Sequence, residues 1–191
     1  MSDQIMRRSN IAIAAIAFVL LAVSIGAQET QAQETAERVQ LRDGRISFVL
    51  PEGFKAMSKE DIAFKFGRNG AAYAPAFAYS NERQNVSVAV TFGGSGFRAE
   101  QLDELKKFLE SHLERSIPVV EWIERELITR DGRRWIHLHL KAEAVDTDIV
   151  NDIYGTLFDG QLLMFNFNST VAQYEKHKES LRRSAQTITV K

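Results

Sequence analysis

The chain has 191 residues, a formal charge of −1 and no cysteine. With 45% hydrophobic and 26% charged residues it has the make-up of a globular domain, which excludes disorder and collagen-like repeats. It lacks the basic excess of a nucleic-acid binder, and the missing cysteines remove disulfides, thiolate metal sites, cysteine nucleophiles and a lipid-modified N-terminal cysteine together.

Arg7 and Arg8 precede an uncharged, mostly apolar run from Ile11 to Ile25, and small and polar residues follow. This is the order of a secretory signal peptide, and the run of about 15 residues falls short of the ~20 needed to span a bilayer. Two cuts fit, one after Ala32 with Thr30 at −3 and one near Gly26–Ala27; an uncleaved anchor is the alternative. Residues 1–32 therefore read as a signal peptide, 33–38 as a polar linker and 39–191 as one domain outside the cytoplasm. A domain of this size buries roughly 70% of its unfolded surface and needs no metal or disulfide to fold.

Val39–Leu41 reads as a strand, followed by a turn at Asp43-Gly44. In Arg45–Phe54 the residues Ile46, Phe48 and Leu50 alternate with Ser47 and Val49 until Pro51 and Gly53 end the strand. Ser58 caps a short helix through Phe66, and Gly67–Pro75 is loop. Ala76–Ser80 and Asn85–Phe92 form a hairpin, and Gly93–Gly96 reads as a flexible connection. From Ala99 to Ser116 the spacing of Leu102, Leu105, Leu109 and Leu113 predicts an amphipathic helix ended by Pro118. Asp131-Gly132 and Asp159-Gly160 each interrupt apolar runs, a strong hairpin signal, because Gly accepts positive φ freely and Asp tolerates it. They predict a four-stranded meander over 120–130, 133–143, 148–158 and 161–168. Thr170-Val-Ala-Gln173 has the pattern of a capping box opening a last helix to Ala185, with Tyr174, His177, Leu181 and Ala185 on one face. Ile188 and Val190 suggest a final docked segment or short strand. The fold class is α+β.

Ile46-Ser-Phe48 with Leu50-Pro-Glu-Gly-Phe54 resembles the first strand and its P-x-G-aromatic ending in PsbP-like domains, which include the bacterial DcrB-like exported proteins. Phe165–Thr170 followed by Tyr174, Leu181, Ser184 and Ile188 resembles that superfamily's last strand and terminal helix. The resemblance implies a central antiparallel sheet of six or seven strands flanked by helices, an α/β/α sandwich, with no catalytic machinery. It also implies a binding role, since known members are mostly binders, among them a Ran-binding protein, photosystem II extrinsic subunits and secretion-effector chaperones. No functional residue carries over from it.

Residues two apart on a strand face the same way, so Trp135, His137, His139 and Lys141 share one face and Ile136, Leu138 and Leu140 the other. The first set is the candidate binding surface. Its two imidazoles are candidate ligands for zinc or copper, with Asp152 or Tyr154 as a third ligand, against the plainer reading of a polar strand face. Gly93–Gly96 before a helix has N–H groups for an anion but no P-loop lysine. Glu121, Glu124 and Glu126 lie on one strand, and the acidic stretch Ala144–Asp152, with Asp146, Asp148 and Asp152, offers hard oxygens for Ca²⁺ without EF-hand spacing. His112 and His177 read as buried, hydrogen-bonded helix residues. Asn85-Val-Ser87 and Asn168-Ser-Thr170 match the glycosylation pattern. The expectation is an exported, non-enzymatic binding or assembly protein of the cell envelope. It needs no cofactor, binds another protein and no nucleic acid, and touches the membrane only through an uncleaved signal segment. The alternative is an envelope protein that binds a metal or small ligand through His137 and His139.

Overall fold

Both Asp-Gly pairs take positive φ at each residue, 52° and 73° at Asp131 and Gly132, 50° and 71° at Asp159 and Gly160, the backbone that two-residue hairpins demand. The computed structural model describes residues 37–67, 74–143 and 147–191. The expected signal peptide, most of the linker, part of the loop after Gly67 and Ala144–Asp146 of the acidic stretch lie outside the described residues.

The strands are β1 (Arg38–Leu41), β2 (Ile46–Val49), β3 (Lys55–Ala56), β4 (Phe77–Ser80), β5 (Val86–Ser95), β6 (Val119–Arg130), β7 (Arg133–Glu143), β8 (Asp148–Phe158), β9 (Gln161–Thr170) and β10 (Thr189–Val190). The helices are α1 (Lys59–Phe66), α2 (Leu102–Ser116) and α3 (Val171–Gln186), with a 3₁₀ turn at Ala99–Gln101 ahead of α2. Seven strands form one antiparallel sheet in the order β3-β4-β5-β9-β8-β7-β6. The fold is thus α+β, with the predicted meander joined to the N-terminal hairpin through β5 and β9. A second sheet, β1-β2-β10, was not anticipated. The strand expected from Arg45 ends at Val49, just ahead of Pro51, and β3, which follows at Lys55–Ala56, enters the other sheet.

Helices cover both faces of the large sheet. Leu102, Leu105 and Leu109 of α2 pack on Ile136, Leu138 and Leu140 of β7. Leu181 and Ala185 of α3 join Trp135, Phe165 and Phe167 on the opposite face, where β2 adds Ile46 and Phe48. Three local expectations fail. Gly93–Gly96 is not a free linker, since β5 runs to Ser95 and pairs with β9 through a bulge between Gly93 and Ser95. Gly94, at φ 44°, is required there, because a Cβ would lie 2.5 Å from the Phe97 ring. Thr170 is the N-cap of α3, but its side chain makes no capping hydrogen bond. His112 and His177 are half-exposed rather than buried. Among the described residues no helix is long and apolar enough to cross a membrane.

α1 buries none of its residues, yet Lys65 reaches back to the sheet, its Nζ donating to the Gln84 carbonyl at 2.6 Å and to Ser87 Oγ at 3.2 Å. Burial lowers this amine from its ordinary 10.5 to about 8. Between those values the unfolded chain binds more protons than the folded one, so this group's contribution to stability rises with pH across that window. Its penalty is complete below about 8 and gone above 10.5. Urea unfolding of wild type and Lys65→Met across the window should therefore show wild type gaining on the variant as pH rises. A pH-independent difference would mean that the amine is solvated.

Candidate functional site

The two-residue turn at Asp131-Gly132 sets the register of β6 on β7, pairing Arg130 with Arg133, Glu126 with His137 and Glu124 with His139. Glu124, Glu126, Ile128 and Arg130 alternate along β6 and face the same side as His137 and His139. Together with Asp152 and Tyr154 of β8, they form the floor of a cleft of about 500 Å³. Its roof is α3, which contributes Tyr174, Lys178, Leu181 and Arg182.

His137 is the centre of this floor, and only 8% of it is exposed. Its Nε2 lies 2.7 Å from Asp152 Oδ1, while its Nδ1 lies 3.1 Å from Glu124 Oε2 and 3.7 Å from Glu126 Oε1. The Tyr154 ring stacks on it at 4.5 Å, and the Tyr154 hydroxyl donates to Asp152 Oδ2 at 3.3 Å. Burial alone pushes the imidazole down, but the hydrogen bond to Asp152 and the charges of Asp152, Glu124 and Glu126 outweigh it and leave its pKa above the usual 6.5. Burial pushes the Tyr154 phenol well up, helped by the neighbouring Asp152 carboxylate.

His139 does a different job. Its Nε2 is 3.2 Å from the Tyr174 hydroxyl, a contact that ties α3 to the sheet, and burial lowers its pKa. His139 thus meets Tyr174 of α3, whereas His137 meets Glu124 and Glu126 of β6. Among the described residues, the His, Asp and Glu donors close enough together to hold an ion are Glu124, Glu126 and His137, within 4.8 Å of one another. Asp152 sits on the other ring nitrogen, and Tyr154 stacks on the ring instead of pointing at Nδ1.

The four-residue candidate surface is not one open face. Trp135 is 2% exposed, packed against Phe165 and beneath the Arg130 guanidinium, and belongs to the core. Lys141 is half-buried and paired with Glu121 at 2.6 Å. Arg130 is a further cleft residue. Its Nη1 donates to the Ala185 carbonyl near the end of α3, while its buried Nη2 has no hydrogen-bond partner. Of the acidic stretch, Asp148 is exposed on β8 and Asp152 belongs to the His137 cluster. Asn168 lies within the sheet, its Nδ2 donating to Asn151 Oδ1.

No protein-family model matches the sequence, and no curated protein does. Solved structures do. The solution structure of cyanobacterial PsbP (CyanoP) from Synechocystis sp. PCC 6803 is similar over 81% of this chain and 92% of its own, with a TM-score of 0.55 at 14% identity. The chain has a PsbP-like fold. LpqN of Mycobacterium tuberculosis, described as involved in cell envelope biogenesis, is also similar, with a TM-score of 0.53 at 9% identity over 82% of this chain and 86% of that one. A Pseudomonas aeruginosa protein of unknown function, PA94, matches with a TM-score of 0.51 at 15% identity over 82% and 97%. At these identities the likeness is one of fold.

Proposed function

We propose that this chain is an exported, non-catalytic binding protein of the cell envelope, and that a segment of a partner protein occupies the cleft between α3 and the sheet. The observation that carries the reading is the cleft itself. Its volume falls in the range of ligand sites, but ionisable side chains dominate its lining, which suits a charged peptide segment better than an apolar small molecule. Among the described residues no serine, threonine or cysteine lines it, and both ring nitrogens of His137 face carboxylates, Asp152 on one side and Glu124 on the other. Export rests on the Arg7-Arg8 and Ile11–Ile25 pattern, and the envelope setting draws on the description of LpqN.

A photo-crosslinking residue placed at Lys178, on the cleft, and at Lys107, on the exposed side of α2, tests this in cells. Adducts to a defined envelope protein are expected from position 178 and not from 107, and Arg182→Glu should reduce them. Equal capture from both positions, or a chain retained in the cytoplasm, would refute it.

A further inference from the structure

We infer that Glu124, Glu126 and His137 form a site for one first-row divalent transition-metal ion, at the cleft floor. The three donor atoms lie within 4.8 Å of one another, and Nδ1 stands 3.1 Å and 3.7 Å from the two carboxylates. Donors around a tetrahedral ion with bonds of about 2.0–2.2 Å are separated by about 3.3–3.6 Å, so small rotations of two exposed glutamates complete the set. A mixed imidazole–carboxylate set suits zinc and its neighbours in the series.

The other half of the imidazole is arranged as such a site requires. Asp152 accepts from Nε2 at 2.7 Å, which leaves Nδ1 as the ligating nitrogen, and the Tyr154 stack holds the ring plane. A carboxylate on the far nitrogen is the usual partner of a metal-bound histidine, because it sets the tautomer and raises the ring's basicity. Charge points the same way. Three carboxylates surround a single imidazole, and of the cleft's cations Lys178 is engaged by Glu175 while the Arg130 guanidinium lies over the Trp135 and Tyr154 rings. A divalent ion on Nδ1 in place of the proton relieves the repulsion between Glu124, Glu126 and Asp152 more than the proton does. Because all three donors line the cleft, the ion's remaining positions open into it, to water or to whatever enters. The site stands apart from the protein-partner reading: an ion bound without a partner, or a partner captured by a chain that binds no ion, tells the two apart.

Zn²⁺ titration of the purified full-length protein, followed by calorimetry, tests the site. One ion per chain is expected. Loss of an orienting neighbour alone costs a metal site about 10- to 100-fold, so Glu124→Gln/Glu126→Gln should weaken binding by at least about 100-fold. His112→Ala, on α2 at the opposite face of the sheet, should leave it unchanged. Since both glutamates are exposed, that double variant keeps its fold, and a direct readout on wild type covers the buried histidine: in ring ¹⁵N spectra, Zn²⁺ should shift the His137 Nδ1 resonance and not that of His139. Failure of wild type to take up Zn²⁺, affinity unchanged in the double variant, or an equal loss in His112→Ala would overturn the assignment.

Discussion

Replacing Phe165 with alanine is expected to cost about 3–5 kcal/mol of folding stability. Phe165 is wholly buried on β9, meets Phe48 edge-on at 5.4 Å and lies 6.5 Å from Trp135. Its ring therefore joins the small sheet, through β2, to the large one, through β9 and β7. Removing it deletes apolar burial and leaves a cavity bounded by two sheets, which cannot both close on it without breaking their hydrogen-bonded registers. Whole domains of this kind have about 5–15 kcal/mol in total, so the variant should be near the limit of folding. Phe165→Leu keeps most of the volume and should cost about 1.5 kcal/mol or less. Urea unfolding measures both. A loss below about 1 kcal/mol for the alanine variant would mean that the two sheets do not share this core.

Asp152→Asn should cost about 2 kcal/mol, and the cost should shrink as pH rises. The carboxylate accepts from His137 Nε2 and from the Tyr154 hydroxyl, and its side chain is 18% exposed. The sign follows from the raised pKa of His137. Below 6.5, the ordinary value, the folded and unfolded chains both hold the proton and the charge-assisted bond contributes fully. As pH climbs through the higher folded pKa the imidazolium is lost, and so is that contribution. Unfolding in chelator-containing buffer, so that only the proton competes for the ring, should give a larger difference between wild type and Asp152→Asn in acid than in mild alkali. A difference that grew with pH would show that His137 is neutral in the folded state.

Much of the architecture was legible in the residues. The two Asp-Gly turns, the alternation of Ile136, Leu138 and Leu140 with His137 and His139, and the leucine stripe of α2 all sit where the patterns placed them. The site was legible in part. The sequence points to His137 and Asp152, whereas in it Glu124 and Glu126 are one of several acidic groups. A usable signal was present: counting outward from the Asp131-Gly132 turn puts Glu126 opposite His137. Trp135 went to the wrong environment because alternation assigns a residue to a face of the sheet and does not say which length of that face is covered. On β7 the stretch at Trp135 is closed by α3 and the small sheet, whereas two residues further the same face opens into the cleft. Gly93–Gly96 misled for a related reason, since glycine content implies freedom only where no partner strand takes up the backbone, and β9 does so here.

What the sequence determined alone is what neighbouring residues decide among themselves: where the chain turns, which side of each strand is apolar, and where the amphipathic helices run. These follow from backbone sterics and from the periods of strand and helix, and need no distant contact. The tertiary structure alone decided that β9 lies beside β5 at the centre of the sheet, that β10 returns to β2, and that α3 packs across β9 and β8, with Trp135 in the shared core and His137 in a cleft with two glutamates. Those choices rest on burial shared between segments far apart in the chain, such as Phe48 against Phe165, and a pairing of that kind leaves no local imprint in either segment.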